Sequence, residues 1–222
     1  MHGAVHRAPR ASWATCQAPW ASNTLKITPG TGRSFAYADQ ISNFDKVEVA
    51  SGTVTLSGEN AYTGSTLLSG GRLVLDGANR IAAASALVLS GGALEIANAG
   101  GANGQTFASL ELTDGSTIDL DSTTSLTFAA LSAVASGKTL SIVDWDAAAS
   151  PEYAIRFVGD LTSSAAFLAL MSQTTVNGAA AAWTFDGLYT DVKAVPVPAA
   201  FGLLMSGLGL LGAFRRRRTT TA

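Results

Sequence analysis

The chain is poor in the residues that most chemistry needs. Of 222 residues, one is a cysteine, Cys16, so no internal disulfide can form. Two are histidines, His2 and His6, and none follows them. A histidine-based catalytic triad or a His-ligated metal site is thereby excluded from the body of the chain. Charged residues make up 14% of the sequence, and residues 41–214 hold 6 basic against 15 acidic side chains. A mildly acidic body has no basic face with which to grip nucleic acid. No phosphate loop, dinucleotide fingerprint or cysteine–histidine pair is present. Residues 1–40 contain no apolar run long enough for a signal-peptide core. Residues 1–27 are therefore expected to be a disordered leader or a mis-assigned start.

What the chain does have is a repeat. Five segments share a small-residue turn followed by an alternating strand: SGTVTLSG from Ser51, SGGRLVLDG from Ser69, SGGALEIAN from Ser90, DGSTIDLDS from Asp114 and SGKTLSIVD from Ser136. Their marker glycines, Gly52, Gly71, Gly92, Gly115 and Gly137, stand 19, 21, 23 and 22 residues apart. Apolar residues sit two apart in each strand: Val54 and Leu56, Leu73 and Leu75, Leu94 and Ile96, Ile118 and Leu120, Leu140 and Ile142. Period two places them on one face. A glycine ahead of the strand permits the positive φ of a tight corner. Further apolar segments at 46–49, 87–89, 110–112 and 126–128 supply a second strand per unit.

One such unit cannot bury its apolar face alone, but stacked units can. The spacing predicts an all-β fold, a parallel β-helix (solenoid) of about five to six coils over residues 28–137. An antiparallel sandwich of hairpins is the competing arrangement. Against it stand the long, irregular connections and the turn that recurs at matching phase. Residues 138–193 read as a C-terminal β-rich cap, since an open last coil would expose its core. Within the cap, 163–171 reads as a short helix with Phe167, Leu168, Leu170 and Met171 on one side. Asp186-Gly187 is a two-residue hairpin signal. Trp145, Phe157, Trp183 and Tyr189 are expected to plug the cap, with an aromatic carbohydrate platform as the competing use.

Residues 194–222 have a fixed three-part order. A proline segment, Val195, Pro196, Val197, Pro198, Ala199 and Ala200, leads into an uncharged run over 199–214, then Arg215, Arg216, Arg217 and Arg218. At about 1.5 Å per residue the run gives roughly 24 Å of helix against a hydrocarbon core of about 30 Å. Terminal arginines can snorkel to close that gap. One transmembrane helix is expected there, with the arginines on the cytoplasmic side and the body exported. The prolines hold the preceding segment extended, open to a processing enzyme.

This tail resembles the PEP-CTERM sorting signal of bacterial envelope proteins, in its Val-Pro-x-Pro-Ala-Ala form. The resemblance implies recognition of the proline motif by a membrane-embedded cysteine peptidase, exosortase, and removal of the helix and basic tail. A plain C-terminal tail anchor is the alternative. A second stretch, Val54 to Gly77, resembles the autotransporter-associated β-strand repeat. Its core is Leu56, Ser57, Gly58, Asn60, Tyr62, Thr63, Gly64 and Thr66. The glycines bracket a loop between coils, Asn60 can cap the turn or stack on its neighbours, and Tyr62 is expected at the coil's edge. That resemblance implies a solenoid stalk and no chemistry.

The remaining candidates for chemistry are acids. Asp119 and Asp121 share a strand face with Asp114 near, a set that could bind Ca²⁺ or serve a polysaccharide lyase. The glycine-aspartate nonapeptides of calcium-binding coils are missing. Arg72, Arg80 and Lys138, the bases a lyase would need, fall in different repeats. A solvated outer face accounts for the acids, and for Asp144 and Asp146. The expected function is that of a non-enzymatic, exported envelope or extracellular-matrix protein without cofactor or metal. Its expected partners are an exosortase-type peptidase, the inner membrane in transit, and exopolysaccharide or other surface proteins, not nucleic acid. A small β-helical carbohydrate-active enzyme and a permanently tail-anchored periplasmic binding protein are the alternatives.

Overall fold

A computed structural model describes residues 23–98, 104–121, 124–146, 148 and 152–195. The described chain is almost entirely β. It opens with β1 (Thr24–Ile27), β2 (Ser34–Tyr37), β3 (Lys46–Val49), β4 (Thr53–Leu56), β5 (Ser65–Leu68) and β6 (Arg72–Asp76). It continues with β7 (Ala86–Ser90), β8 (Ala93–Ala97), β9 (Gln105–Asp114), β10 (Ser116–Asp119), β11 (Leu126–Val134) and β12 (Leu140–Val143). After β13 (Ile155–Val158) come the one helix, α1 (Ala165–Ser172), then β14 (Thr174–Val176), β15 (Ala179–Phe185) and β16 (Tyr189–Ala194).

Odd-numbered strands from β1 to β13 stack in parallel as one ladder, and even-numbered strands from β2 to β14 as the other. Each coil contributes one strand to each ladder, which makes the fold a β-solenoid. Five coils carry the expected glycine corner, and the ladders extend by one strand at each end. The alternation explains the packing directly. In β3, β4 and β5 every second residue is buried, and those residues point between the two ladders. In the even ladder Val54, Leu73, Leu94, Ile118, Ile142 and Val176 stand in register, one above the next. In the odd ladder Ile27, Val49, Leu68, Leu89 and Leu112 do the same. All ten apolar residues anticipated from period two are buried.

Corners follow the glycines, with two departures. Gly52 and Gly71 take positive φ of 70° and 68°. A Cβ on Gly71 would stand 2.5 Å from the Gly52 carbonyl oxygen of the coil beneath. In the third coil Gly91 takes the positive φ, not Gly92, and Gly115 is not in that region.

Three sequence boundaries shift. The ladder already begins at Thr24, within the stretch read as leader, while residues 1–22 lie outside the described residues. The parallel ladders persist through β13 and β14, so most of 138–193 is solenoid. The antiparallel cap is the hairpin β15–β16 alone. In it β16 pairs with β13, β15 pairs with β14, and the two pair with each other. All sixteen strands thus form one continuous sheet. The hairpin loop is centred on Gly187 and Leu188, one residue beyond the anticipated pair, because the Asp186 carboxylate accepts from the Leu188 and Tyr189 N–H groups.

Helix α1 begins at Ala165, two residues later than expected, behind the N-cap Ser164, whose Oγ accepts from the Phe167 N–H. Phe167, Leu170 and Met171 are buried, but Leu168 is 40% exposed and is not part of the buried face. The plug also differs in membership. Phe107, Phe128 and Phe157 stack on successive rungs with ring centroids 5.7 and 5.4 Å apart. Phe167 meets Phe157 edge-on, and Trp183 meets Phe167 edge-on, each at 5.8 Å. Tyr189 is not part of it. It lies on the outer face, where it and Tyr153 sandwich the Arg156 guanidinium at 4.0 and 3.8 Å. The expected transmembrane helix, 199–214, lies outside the described residues. Among those described, no helix is long and apolar enough to cross a membrane.

Candidate functional site

The repeat-core motif is assembled in the loop joining β4 to β5. Leu56 ends β4 with its side chain in the core. Gly58 and Gly64 lie where that loop touches the coil beneath. A Cβ on Gly58 would come within 2.6 Å of the Ala38 carbonyl oxygen. A Cβ on Gly64 would overlap the Asp45 carbonyl group and sit 2.8 Å from its Cα. Between them Asn60 is buried and joins three coils. Its Oδ1 accepts from the Ile41 N–H at 2.8 Å. Its Nδ2 donates to the Gly58 carbonyl at 3.1 Å and the Arg80 carbonyl at 2.8 Å. Its backbone forms an isolated parallel bridge with Ile81. The amide side chain therefore takes the place of a strand rung where the loop has none.

Tyr62 is fully buried, not at the edge of the coil. Its hydroxyl meets Thr66 Oγ1 at 2.8 Å, and Thr66 Oγ1 meets Ser85 Oγ at 3.2 Å. Ser85 Oγ donates to the Gly64 carbonyl at 2.5 Å. This chain explains why a threonine interrupts an otherwise apolar column at position 66. Burial pushes the Tyr62 phenol well above its ordinary pKa, the Thr66 hydrogen bond offsetting only part of the shift. Tyr62 stays neutral at any physiological pH. Thr63 alone of the motif is exposed. The motif is thus a set of backbone-bonding and close-contact residues, with no group poised for reaction.

Two further amide staples went unread in the sequence. Gln105 Oε1 accepts from the Ile81 N–H at 3.0 Å, and its Nε2 donates to the Ile81 carbonyl at 2.7 Å. Asn177 engages the Trp145 backbone in the same two-handed way, its Nδ2 donating to the carbonyl at 2.5 Å. The signal that could have found them is an isolated amide at the head of β9 and in the β14–β15 turn.

The acids lie elsewhere. Glu95 and Asp119 face outward on neighbouring rungs of the even ladder. Arg72 reaches across two coils and bonds both, through Nε to Glu95 and through a terminal nitrogen to Asp119. The bases do not stay scattered as their repeats suggest: stacking also brings Lys138 to Asp114 at 2.9 Å. Those hydrogen bonds, Glu95 first and Asp119 second, raise the Arg72 pKa still further. Asp114 is held below the usual carboxylate range by Lys138 and by the Gly115 N–H. Beside Arg72 an open groove of about 990 Å³ runs past Asp121, Asp144, Asp146 and Asn177. Asp119 and Asp121 both line it, while Asp114 lies apart with Lys138.

The groove's chemistry is limited. A guanidinium cannot act as a base, and this one is committed to two carboxylates. Among the described residues no group of three His, Cys, Asp or Glu is placed to hold a metal ion. Trp145, the one aromatic lining the groove, is 4% exposed and offers no face to a sugar ring.

Of the sorting motif, Val195 is described. Its N–H donates to the Ala180 carbonyl at 3.0 Å, and it is 42% exposed where the chain leaves the hairpin. Pro196, Val197, Pro198, Ala199 and Ala200 lie outside the described residues, as do Arg215 to Arg218. The chain matches no protein-family model, no curated protein and no solved structure.

Proposed function

We propose that the protein is a non-enzymatic component of the bacterial envelope or extracellular matrix. It is exported, held in the inner membrane by its C-terminal run, and cleaved at Val195–Ala200 by an exosortase-type peptidase. The solenoid is the product delivered to the surface, where it associates with exopolysaccharide or other surface proteins. The observation that carries this reading is the tail's order: proline motif, uncharged run, four arginines. The exposure of Val195, the first residue of the motif, supports it.

The test is the mass of the mature protein from an exosortase-bearing host, with its location. A C-terminus between Val195 and Ala200, on protein at the surface or in the medium, is the expected result. A C-terminus at Ala222 on protein in the inner membrane overturns it and makes the tail a permanent anchor.

A second reading has one observation in its favour. Two carboxylates, Glu95 and Asp119, stand with Arg72 beside an open groove, and a pair of carboxylates is what a small carbohydrate-active enzyme would use. Arg72→Gln distinguishes the two: loss of turnover of a bacterial exopolysaccharide by the folded variant supports the enzyme, and absence of turnover in the unmodified protein removes it.

A further inference from the structure

Among the described residues, β1 and β2 are the two strands of the sixteen with a neighbour on one side only. Both lie at the same pole. The opposite pole is shut by the β15–β16 hairpin, which satisfies both ladders. Ladder bonds fix which backbone groups face outward at the open pole. The Asn23 and Ile27 carbonyls accept from Lys46 and Ala50, and the Arg33 and Tyr37 carbonyls accept from Thr53 and Ser57. Backbone groups alternate sides along a strand. Thr24 and Lys26 of β1, and Ser34 and Ala36 of β2, therefore turn their N–H and C=O groups to the free edge. Neither strand holds a proline or an inward-pointing charge; both are four residues long, and the exposed Lys26 of β1 is paired at 2.8 Å with Glu48 of the next rung. Leu25 and Tyr37 pack on the core yet are only half-buried there, with no rung beyond them among the described residues.

We infer that this pole docks a second copy of the chain, pole to pole about a two-fold axis, β1 against β1 and β2 against β2. Three observations select that occupant. A two-fold axis makes both new pairings antiparallel, and the chain itself ends both ladders with antiparallel rungs at its other pole. The closed pole offers no edge for head-to-tail growth, so association stops at two copies. The end face is one coil, spanning the 22-residue register step from Thr24 to Lys46, and stable interfaces engage about 20–30 residues a side.

Sedimentation velocity on the full chain in non-ionic detergent, from low to high micromolar, tests this. The expected result is a dimer of the 22.6 kDa chain that Ala36→Pro weakens roughly tenfold, since each copy loses an edge N–H and no ladder bond. Circular dichroism checks that the variant folds, and Thr24→Pro replaces it if it does not. Amide exchange on the unmodified chain gives a second readout: Thr24, Lys26, Ser34 and Ala36 gain protection as concentration rises. A monomer throughout overturns the inference. So does a dimer that neither proline variant weakens, which would place the contact on the apolar tail. Concentration-independent protection of the four amides also overturns it, since residues 1–22 or another part of the same chain would then cover the edge.

Discussion

Replacing Asn60 by alanine should destabilise the solenoid far more than its size suggests. The substitution removes three hydrogen bonds to backbone groups of three successive coils. They are not equal. The Arg80 carbonyl keeps a partner, because it also accepts from the Asn60 backbone N–H at 2.9 Å. The Ile41 N–H and the Gly58 carbonyl lose theirs. An orphaned buried donor costs about 1–3 kcal/mol and an ordinary lost bond about 1 kcal/mol, so the total is roughly 2–4 kcal/mol. Asn60→Asp keeps the acceptor for Ile41 but turns an oxygen, in a buried site, toward two carbonyls. Its loss should equal or exceed that of alanine near neutral pH. Urea unfolding of the full chain in detergent, followed by far-ultraviolet circular dichroism, gives both values. A loss under about 1 kcal/mol for Asn60→Ala would refute the reasoning, because it would mean the loop supplies its own bonds.

Two further outcomes follow from other positions. Gly64→Ala should cost about 3 kcal/mol, the upper end for overpacking, because its Cβ meets backbone of the coil beneath and not a side chain that can turn away; a thermal midpoint unchanged from the parent would contradict it. Burial pushes the Glu48 pKa up, but hydrogen bonds from Lys26 and Ser69 and the charges of Lys26 and Lys46 outweigh it and hold the group below its ordinary 4.5. A depressed carboxylate contributes stability above its unfolded pKa and loses it as pH falls through the folded one. The contribution, under about 1 kcal/mol for a pair this exposed, should fade below about pH 4.5 and be absent in Glu48→Gln, which stability curves from pH 3 to 6 would reveal (roughly, by the ordinary carboxylate range).

Much of the fold was legible because it obeys period two. The inward faces of β4, β6, β8 and β10 follow from alternation, whatever their neighbours. Register was less legible. Matching glycine markers aligns Leu140 with Ile118, whereas the strands pair Ile118 with Ile142 and Leu140 with Ser116. The slip is two residues, and a two-residue slip leaves every side chain on its own face. Hydrophobic pattern therefore cannot detect it. Polar partnerships were the least legible. Arg72 and Asp119 lie 47 residues apart in the chain, and Gln105 lies 24 from Ile81. Such pairs become neighbours only once the coil lengths are known, and those lengths vary. Tyr62 was misplaced for a related reason, since its burial depends on Thr66 and Ser85 offering its hydroxyl a partner inside the core.

The ladders also fix a distance. From β1 to β13 there are six rung-to-rung steps, each of about 4.8 Å, so the open pole stands roughly 29 Å from the last odd-ladder rung. Whatever holds the chain beyond Val195 sets one end of that span. Duplicating the coil from Thr53 to Gly71, one full 19-residue register step, would add one step to it, about 4.8 Å, while leaving both poles with the contacts they already have. Reach is thus a quantity this sequence can change in small, equal increments without redesigning either end.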